Sequence, residues 1–306
     1  MGKGGPFALL DPTGAVSSVV EGADRILNPE LDKNRVARRF NRHAHSYDQH
    51  AVVQKRMARR IAGTLKQRKP EASEILEIGC GTGYLTEQLL AQYPEARLTA
   101  VDLAPEMVEA AQKRTRGNPW IRWVQGDAED MDEPEQAYDV IVSNAAMQWF
   151  IAPEQTVEKW KRSLKPEGWL VCSTFGPDTF RELHTVYRSV EEKHRLRVSH
   201  HGLSLRSPEE WESLFRAAGF TDIQALAWRE EVLYESCLDF LRSVQRIGAG
   251  YSPPVGRSAG LQRKLLQEVI HRYDREYRMG NRVVATYQPI QLSGRPAGRS
   301  VSSRKR

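Results

Sequence analysis

The residues of this 306-residue chain best suited to chemistry begin with Glu77-Ile78-Gly79-Cys80-Gly81-Thr82-Gly83-Tyr84, a turn between an apolar run and a helical pattern. Glycines at 79, 81 and 83 permit a tight turn and close approach of a ligand to the backbone. No Gly-Lys-Ser/Thr is present, so the turn is not a phosphate-cradling loop. Glu77 stands two residues before the first glycine, and Asp102 ends the next apolar run, 19 residues past Gly83. A carboxylate at that point can accept both hydroxyls of a ribose. A third acid, in Gly126-Asp127-Ala128-Glu129, is placed to meet an adenine amino group. An acid-lined seat suits a cationic ligand, whereas a pyrophosphate prefers positive surroundings. A NAD-type domain with the same turn is the competing reading.

These residues need a scaffold that brings strand ends together. Apolar runs over 75–78, 98–101, 121–124, 140–142 and 169–174 predict strands, with helices over 84–92, 105–114 and 154–164 between them. Strands separated by crossover helices imply an α/β fold: a doubly wound, mainly parallel, seven-stranded Rossmann-like sheet. Two helices precede it. The first is capped by Asp32 and carries Val36, Ala37, Phe40, Ala44 and Tyr47 on one face; the second covers 52–65. Downstream, helices are predicted over 178–194, 208–218, 237–247 and 261–277, with strands over 223–228 and 283–290. The division that follows is a flexible leader over 1–31, one domain over 32–293 and a disordered basic tail over 294–306. Within the domain, a cofactor-binding core spans about 70–176, and 32–69 with 177–207 form a helical lid.

The formal charge of +6 is uneven. Arg295, Arg299, Arg304, Lys305 and Arg306 leave only +1 for the first 290 residues. Residues 33–69 carry +11 and residues 70–160 carry −11. The two segments either neutralise each other in the fold or present a positive rim to an acidic partner. Cys80, Cys172 and Cys237 are too scattered for a disulfide framework or zinc site, which fits a reducing cytoplasm. His194, His200 and His201 lack acidic or cysteine companions at ligand spacing, so surface histidines and no metal are expected. No stretch is long and apolar enough to span a membrane. No nucleic-acid module accompanies the basic tail.

The glycine turn, the strand-end acid and the Gly-Asp-Ala-Glu segment together resemble the class I S-adenosylmethionine-dependent methyltransferases. That resemblance implies cofactor contacts at Glu77, Gly79, Cys80, Gly81, Gly83, Asp102, Leu103, Met107, Asp127, Ala128 and Asn144. The loop Ser143-Asn144-Ala145-Ala146-Met147-Gln148-Trp149-Phe150 lacks the Asn-Pro-Pro-Tyr motif of amino-group methylases and holds no His or Lys. It suits an acceptor that is already anionic, because a carboxylate needs no general base.

Further segments are similar to the malonyl-acyl-carrier-protein O-methyltransferases of biotin synthesis. They are Phe40…Ala44…Tyr47-Asp48, Asn144-Ala145-Ala146-Met147-Gln148-Trp149, Thr174-Phe175-Gly176-Pro177-Asp178-Thr179-Phe180-Arg181-Glu182-Leu183-His184 and Arg242-Ser243-Val244-Gln245-Arg246-Ile247-Gly248-Ala249. The likeness covers about 33–292. It implies methylation of the free carboxylate of malonyl-acyl carrier protein or malonyl-CoA, with Tyr47, Gln148 and Trp149 positioning the reactants. Tyr47 reads equally well as an aromatic core residue. An acidic carrier would meet Arg38, Arg42, Lys55, Arg56 and Arg59 of the N-terminal helices together with Arg181, Arg188, Lys193, Arg195, Arg197, Arg242 and Arg246, and the enzyme is expected to be a monomer. Competing functions are a methyltransferase for another small carboxylate or a quinone-type acceptor, and a non-catalytic adapter that binds the cofactor.

Overall fold

The computed structural model describes residues 31–199, 201–249 and 257–297. The leader, apart from Leu31, His200 and the tail beyond 297 lie outside the described residues. Helices α1 (Lys33–His43), α2 (Tyr47–His50) and α3 (Val52–Arg68) come first. The alternating core follows as β1 (Glu74–Ile78), α4 (Tyr84–Gln92), β2 (Arg97–Asp102), α5 (Pro105–Arg114), β3 (Ile121–Gln125), β4 (Tyr138–Asn144), α6 (Pro153–Ser163) and β5 (Leu164–Phe175). The C-terminal part contains α7 (Arg181–Lys193), α8 (Pro208–Ala217), β6 (Phe220–Ala227), β7 (Glu230–Tyr234), α9 (Cys237–Arg246) and α10 (Ala259–Glu276). It closes with β8 (Arg278–Met279), β9 (Arg282–Tyr287) and β10 (Pro289–Pro296).

The main sheet has seven strands in the order β3-β2-β1-β4-β5-β10-β6. Strands β1 to β5 are mutually parallel, and β10 runs antiparallel between β5 and β6. Helices cover both faces, so Ile75, Leu76 and Ile78 of β1 and Val140, Ile141 and Val142 of β4 are all buried. Strand order reverses between β1 and β4, and the crevice beyond their carboxyl ends is where such sheets bind ligands.

Several sequence expectations change. The first helix breaks at Ala44 and restarts at Tyr47, although Phe40, Ala44 and Tyr47 still pack together beside Met107. Helix α3 is not a lid: its Ala58, Ile61 and Leu65 pack with β-strand residues in the main core. The helical layer expected over 177–207 extends further, because α9 and α10 share one apolar cluster with α7, through Val186, Phe240 and Tyr273. The strand expected over 283–290 is two strands. β9 joins a separate antiparallel sheet, β7-β9-β8, and β10 returns to the main one. β10 also runs through Pro296, so the tail cannot begin at Gly294: its pairing partners on both sides hold that segment in the sheet.

Candidate active site

The glycine turn leaves β1 with Gly79, Gly81 and Gly83 all at positive φ. At Gly79 a Cβ would lie 2.6 Å from the Ala146 side chain, and at Gly83 it would lie 2.9 Å from the Ala111 backbone. The turn is thus held against β4's loop on one side and α5 on the other. The carboxylate of Asp102 accepts N–H bonds from Gly81 (2.8 Å) and Ala104 (2.9 Å). It opens onto the cleft but lies deep in the fold, and burial pushes it up to about 6 against the lowering effect of those donors. Thr82 donates to Asp48 (2.7 Å), which also pairs with Arg114, tying α2 to the turn.

The cleft is lined by Gly79, Gly81, Asp102, Leu103, Met107, Asp127, Ala128 and Asn144 among the residues expected to meet a cofactor. Glu77, Cys80 and Gly83 do not line it. The pleat of β1 turns Glu77 toward α4, where its carboxylate accepts from Thr86 (2.6 Å) and burial pushes it up to about 8. Cys80 is buried with its thiol pushed upward by burial, and Gly83 caps α4.

One residue in this cleft carries no signal in the sequence. Lys33, at the start of α1, donates to both oxygens of Asp127 (2.7 and 2.5 Å) and pairs with Glu129. Its ammonium also lies 5.8 Å from the centre of the Phe150 ring. In sequence it is one of twelve cations in a basic run, with nothing to set it apart. Glu129 in turn accepts the N–H groups of Ile151 (2.9 Å) and Ala152 (2.8 Å) at the start of α6.

Beside the cleft lies a chamber of about 430 Å³, and Phe40, Tyr47, Ala145 and Trp149 line both spaces. Trp149 packs edge-on against Phe40, with ring centres 5.6 Å apart. Ala145 sits at φ 53°, a left-handed conformation unusual for alanine, held by N–H bonding to the Ser173 carbonyl (2.9 Å). Gln148 lines the chamber, but both ends of its amide are engaged, donating to Ala145 O (2.7 Å) and accepting from Thr174 (3.0 Å). It shapes the loop. Asn144 likewise donates to Gln54 O (3.1 Å) and accepts from Ser173 (2.8 Å). Burial and the nearby Asp102 push the Tyr47 phenol well above its ordinary range, so it stays a proton donor.

Beyond the N-terminal helices, the basic residues expected to meet a carrier fall into two groups. Arg242 lines the chamber and Arg246 an adjoining basin. Arg181, Arg188, Lys193, Arg195 and Arg197 are exposed on and after α7 and line neither. His201 departs from expectation: it is buried, pairs with Glu191 (2.9 Å) and stacks on Tyr187 at the chamber wall. Arg257 reaches the same carboxylate (2.6 Å). His194 pairs with Glu268 (2.7 Å). No group of three potential metal ligands occurs among the described residues.

Comparisons with known proteins agree with this architecture. A family described as "Methyltransferase domain" matches residues 76–172, the stretch from β1 to β5. A malonyl-[acyl-carrier protein] O-methyltransferase from Paenibacillus sp. (strain JDR-2) is 40% identical over 265 residues, covering 84% of this chain and 96% of that protein. The protein of that name from Halalkalibacterium halodurans is 36% identical over 269 residues, covering 86% and 98%. Among solved structures, the YcgJ protein from Bacillus subtilis shares the fold with a TM-score of 0.55 at 20% identity, over 78% of this chain and all of that one. A glycine turn, a strand-end carboxylate and near full-length similarity thus converge: the chain belongs to the malonyl-[acyl-carrier protein] O-methyltransferase family.

Proposed function

We propose that the protein methylates the free carboxylate of a malonyl group held as a thioester on an acidic acyl carrier protein, the first committed step toward a pimeloyl chain for biotin. The observation that carries this reading is the meeting of an acid-lined nucleotide cleft and a mostly apolar chamber at Phe40, Tyr47, Ala145 and Trp149. S-adenosylmethionine, when bound, supplies a methyl group on a cationic sulfur. Asp102 is suited to the ribose diol and Asp127 to the adenine amino group. The cleft measures about 100 Å³ with Lys33 lodged against Asp127, so an adenine at that acid takes over the position of an ammonium.

At the junction the chain offers aromatic rings, a methyl group and one phenol, and no carboxylate or amine that would act as a base. An anionic oxygen attacking a cationic methyl donor needs none. Its O–CH₃ bond forms as the S–CH₃ bond breaks, the electron pair stays on sulfur, and both charges vanish. Water exclusion by Phe40, Tyr47 and Trp149 favours such a step, since charge is dispersed as the transition state is reached. Tyr47 is suited to donate a hydrogen bond to a reactant, and Gln148 acts by holding Ala145. Arg242 at the chamber wall, Arg246 in the adjoining basin and the exposed α7 residues Arg181, Arg188 and Lys193, with Arg195 and Arg197 beyond, offer a positive surface to the carrier. No helix among the described residues is long and apolar enough to cross a membrane.

The test is incubation with labelled S-adenosylmethionine and malonyl, succinyl and acetyl thioesters on carrier protein. The expected product is a base-labile methyl ester on the malonyl form. Label on succinyl alone would favour a different small diacid, and label on neither would overturn the reading.

A further inference from the structure

A basin beside the chamber is ringed by Arg42 and His43 of α1, His45, His50 of α2 and Arg246 of α9. Arg42 and His43 line both spaces, so the basin opens directly onto the chamber. No carboxylate lines it. Some cations elsewhere are matched by a carboxylate, as Arg56 is by Glu230, Arg206 by Glu154 and Arg229 by Asp178; the basin differs in gathering several basic side chains around one space. Among the described residues, Arg42 and Arg246 have no such partner within ion-pair distance. Helix α1 holds no acid, and the acids of α2 and α9 are committed elsewhere, Asp48 to Thr82 and Arg114 and Asp239 to Arg242. Arg246 instead points a guanidinium nitrogen at the His50 ring, 3.4 Å away.

Cations left together without counter-charge, at the lip of a chamber, form an anion seat. Resting on the function proposed above, we propose that Arg42, His43, His45, His50 and Arg246 bind the phosphodiester that joins the pantetheine arm to its carrier protein. Two arginine forks and imidazole N–H donors match the oxygens of a phosphate. Seating the phosphate at the lip sends the arm inward along the chamber. Burial and the neighbouring cations hold His43 and His50 below their ordinary range, Arg42 and Arg246 contributing for His43 and Arg246 for His50. A bound phosphate reverses that balance, so protons are taken up on binding and affinity falls as pH rises.

The experiment titrates the full-length protein, saturated with S-adenosylhomocysteine, with 4′-phosphopantetheine, pantetheine and coenzyme A at pH 6 and pH 8. Phosphopantetheine is expected to bind about tenfold or more tighter than pantetheine at pH 6, with a smaller advantage at pH 8. Coenzyme A, with its bulky nucleotide, is expected to gain nothing over phosphopantetheine. In the Arg42→Gln/Arg246→Gln variant the ratio between the two arms should fall to near unity, and in His43→Gln/His50→Gln it should drop below the wild-type ratio more at pH 6 than at pH 8, the phosphate's own titration being common to both proteins. Equal binding of both arms by the wild type, or an advantage that survives in the arginine variant, overturns the phosphate seat. Those outcomes leave methyl transfer untouched. Loss of labelled ester on every malonyl thioester would instead sink the function while leaving this titration to decide the seat.

Discussion

Replacing Asp102 by Asn removes a charge and one acceptor from the carboxylate that accepts N–H bonds from Gly81 and Ala104. An amide cannot accept both of those bonds with separate oxygens and also serve a ribose diol. One lost charge-assisted bond is worth roughly 1.5–3 kcal/mol, so the dissociation constant for S-adenosylmethionine should rise about tenfold to a hundredfold or slightly more. The pH dependence gives a second, independent readout. Burial pushes Asp102 up to about 6, so the empty site is ionised above that pH and protonated below it. Ligand binding favours the ionised form, so wild-type affinity should be flat above pH 7. Below pH 6 it should fall, approaching about tenfold per unit. The Asn variant should be weak and nearly flat. Isothermal titration with S-adenosylmethionine from pH 5 to 8, alongside thermal melts to establish folding, measures both. A folded Asn variant that binds within twofold of wild type, or a wild-type profile that stays flat to pH 5, refutes the role of Asp102.

The remaining predictions concern other parts of the molecule. Activity on the carrier-bound substrate should fall steeply as salt rises and activity on malonyl-CoA less so; parallel salt curves would dismiss protein docking on the basic surface. The single-turnover rate should show no basic-limb pKa near neutrality; such a limb would point to a base among the chamber histidines His43, His184 and His201. Glu77, pushed up to about 8, is protonated in the fold and ionised in the unfolded chain between about pH 4.5 and 8. Stability should therefore fall with rising pH across that window, by at most about 1.4 kcal/mol per unit, and Glu77→Gln should remove that slope. Melts showing the same slope in both proteins would contradict it. Gly83→Ala meets the Ala111 backbone at positive φ and should cost about 2–4 kcal/mol; a melting temperature within a degree of wild type would show that α5 yields there.

The parallel core was legible because burial on both faces writes strands as unbroken apolar runs, such as Ile75-Leu76 and Val140-Ile141-Val142. The glycine turn and the acids at 102 and 127 were legible because each sits at a strand end that those runs mark. Other features depend on distant partners. His201 looked like a surface residue because neither Glu191, ten residues before it, nor the distant Arg257 stands at a recognisable ligand or helical spacing from it, yet together they hold it at the chamber wall. The break after α1 has no glycine or proline to announce it, and β7 is short, half-exposed and begins with two glutamates. Glu77 was assigned to the ligand by its place in a motif, but a strand's two-residue period aims it at Thr86. Lys33 became visible only when α1 folded over Asp127.

The central claim is that methyl donor and acceptor carboxylate meet where Tyr47 and Trp149 join the two cavities. A crystal structure with S-adenosylhomocysteine and a non-hydrolysable malonyl-pantetheine tests it most directly. The donor sulfur should face the chamber between those two side chains, with a carboxylate oxygen in line. A sulfur turned away from the chamber, or a malonyl group bound outside it, would contradict the account.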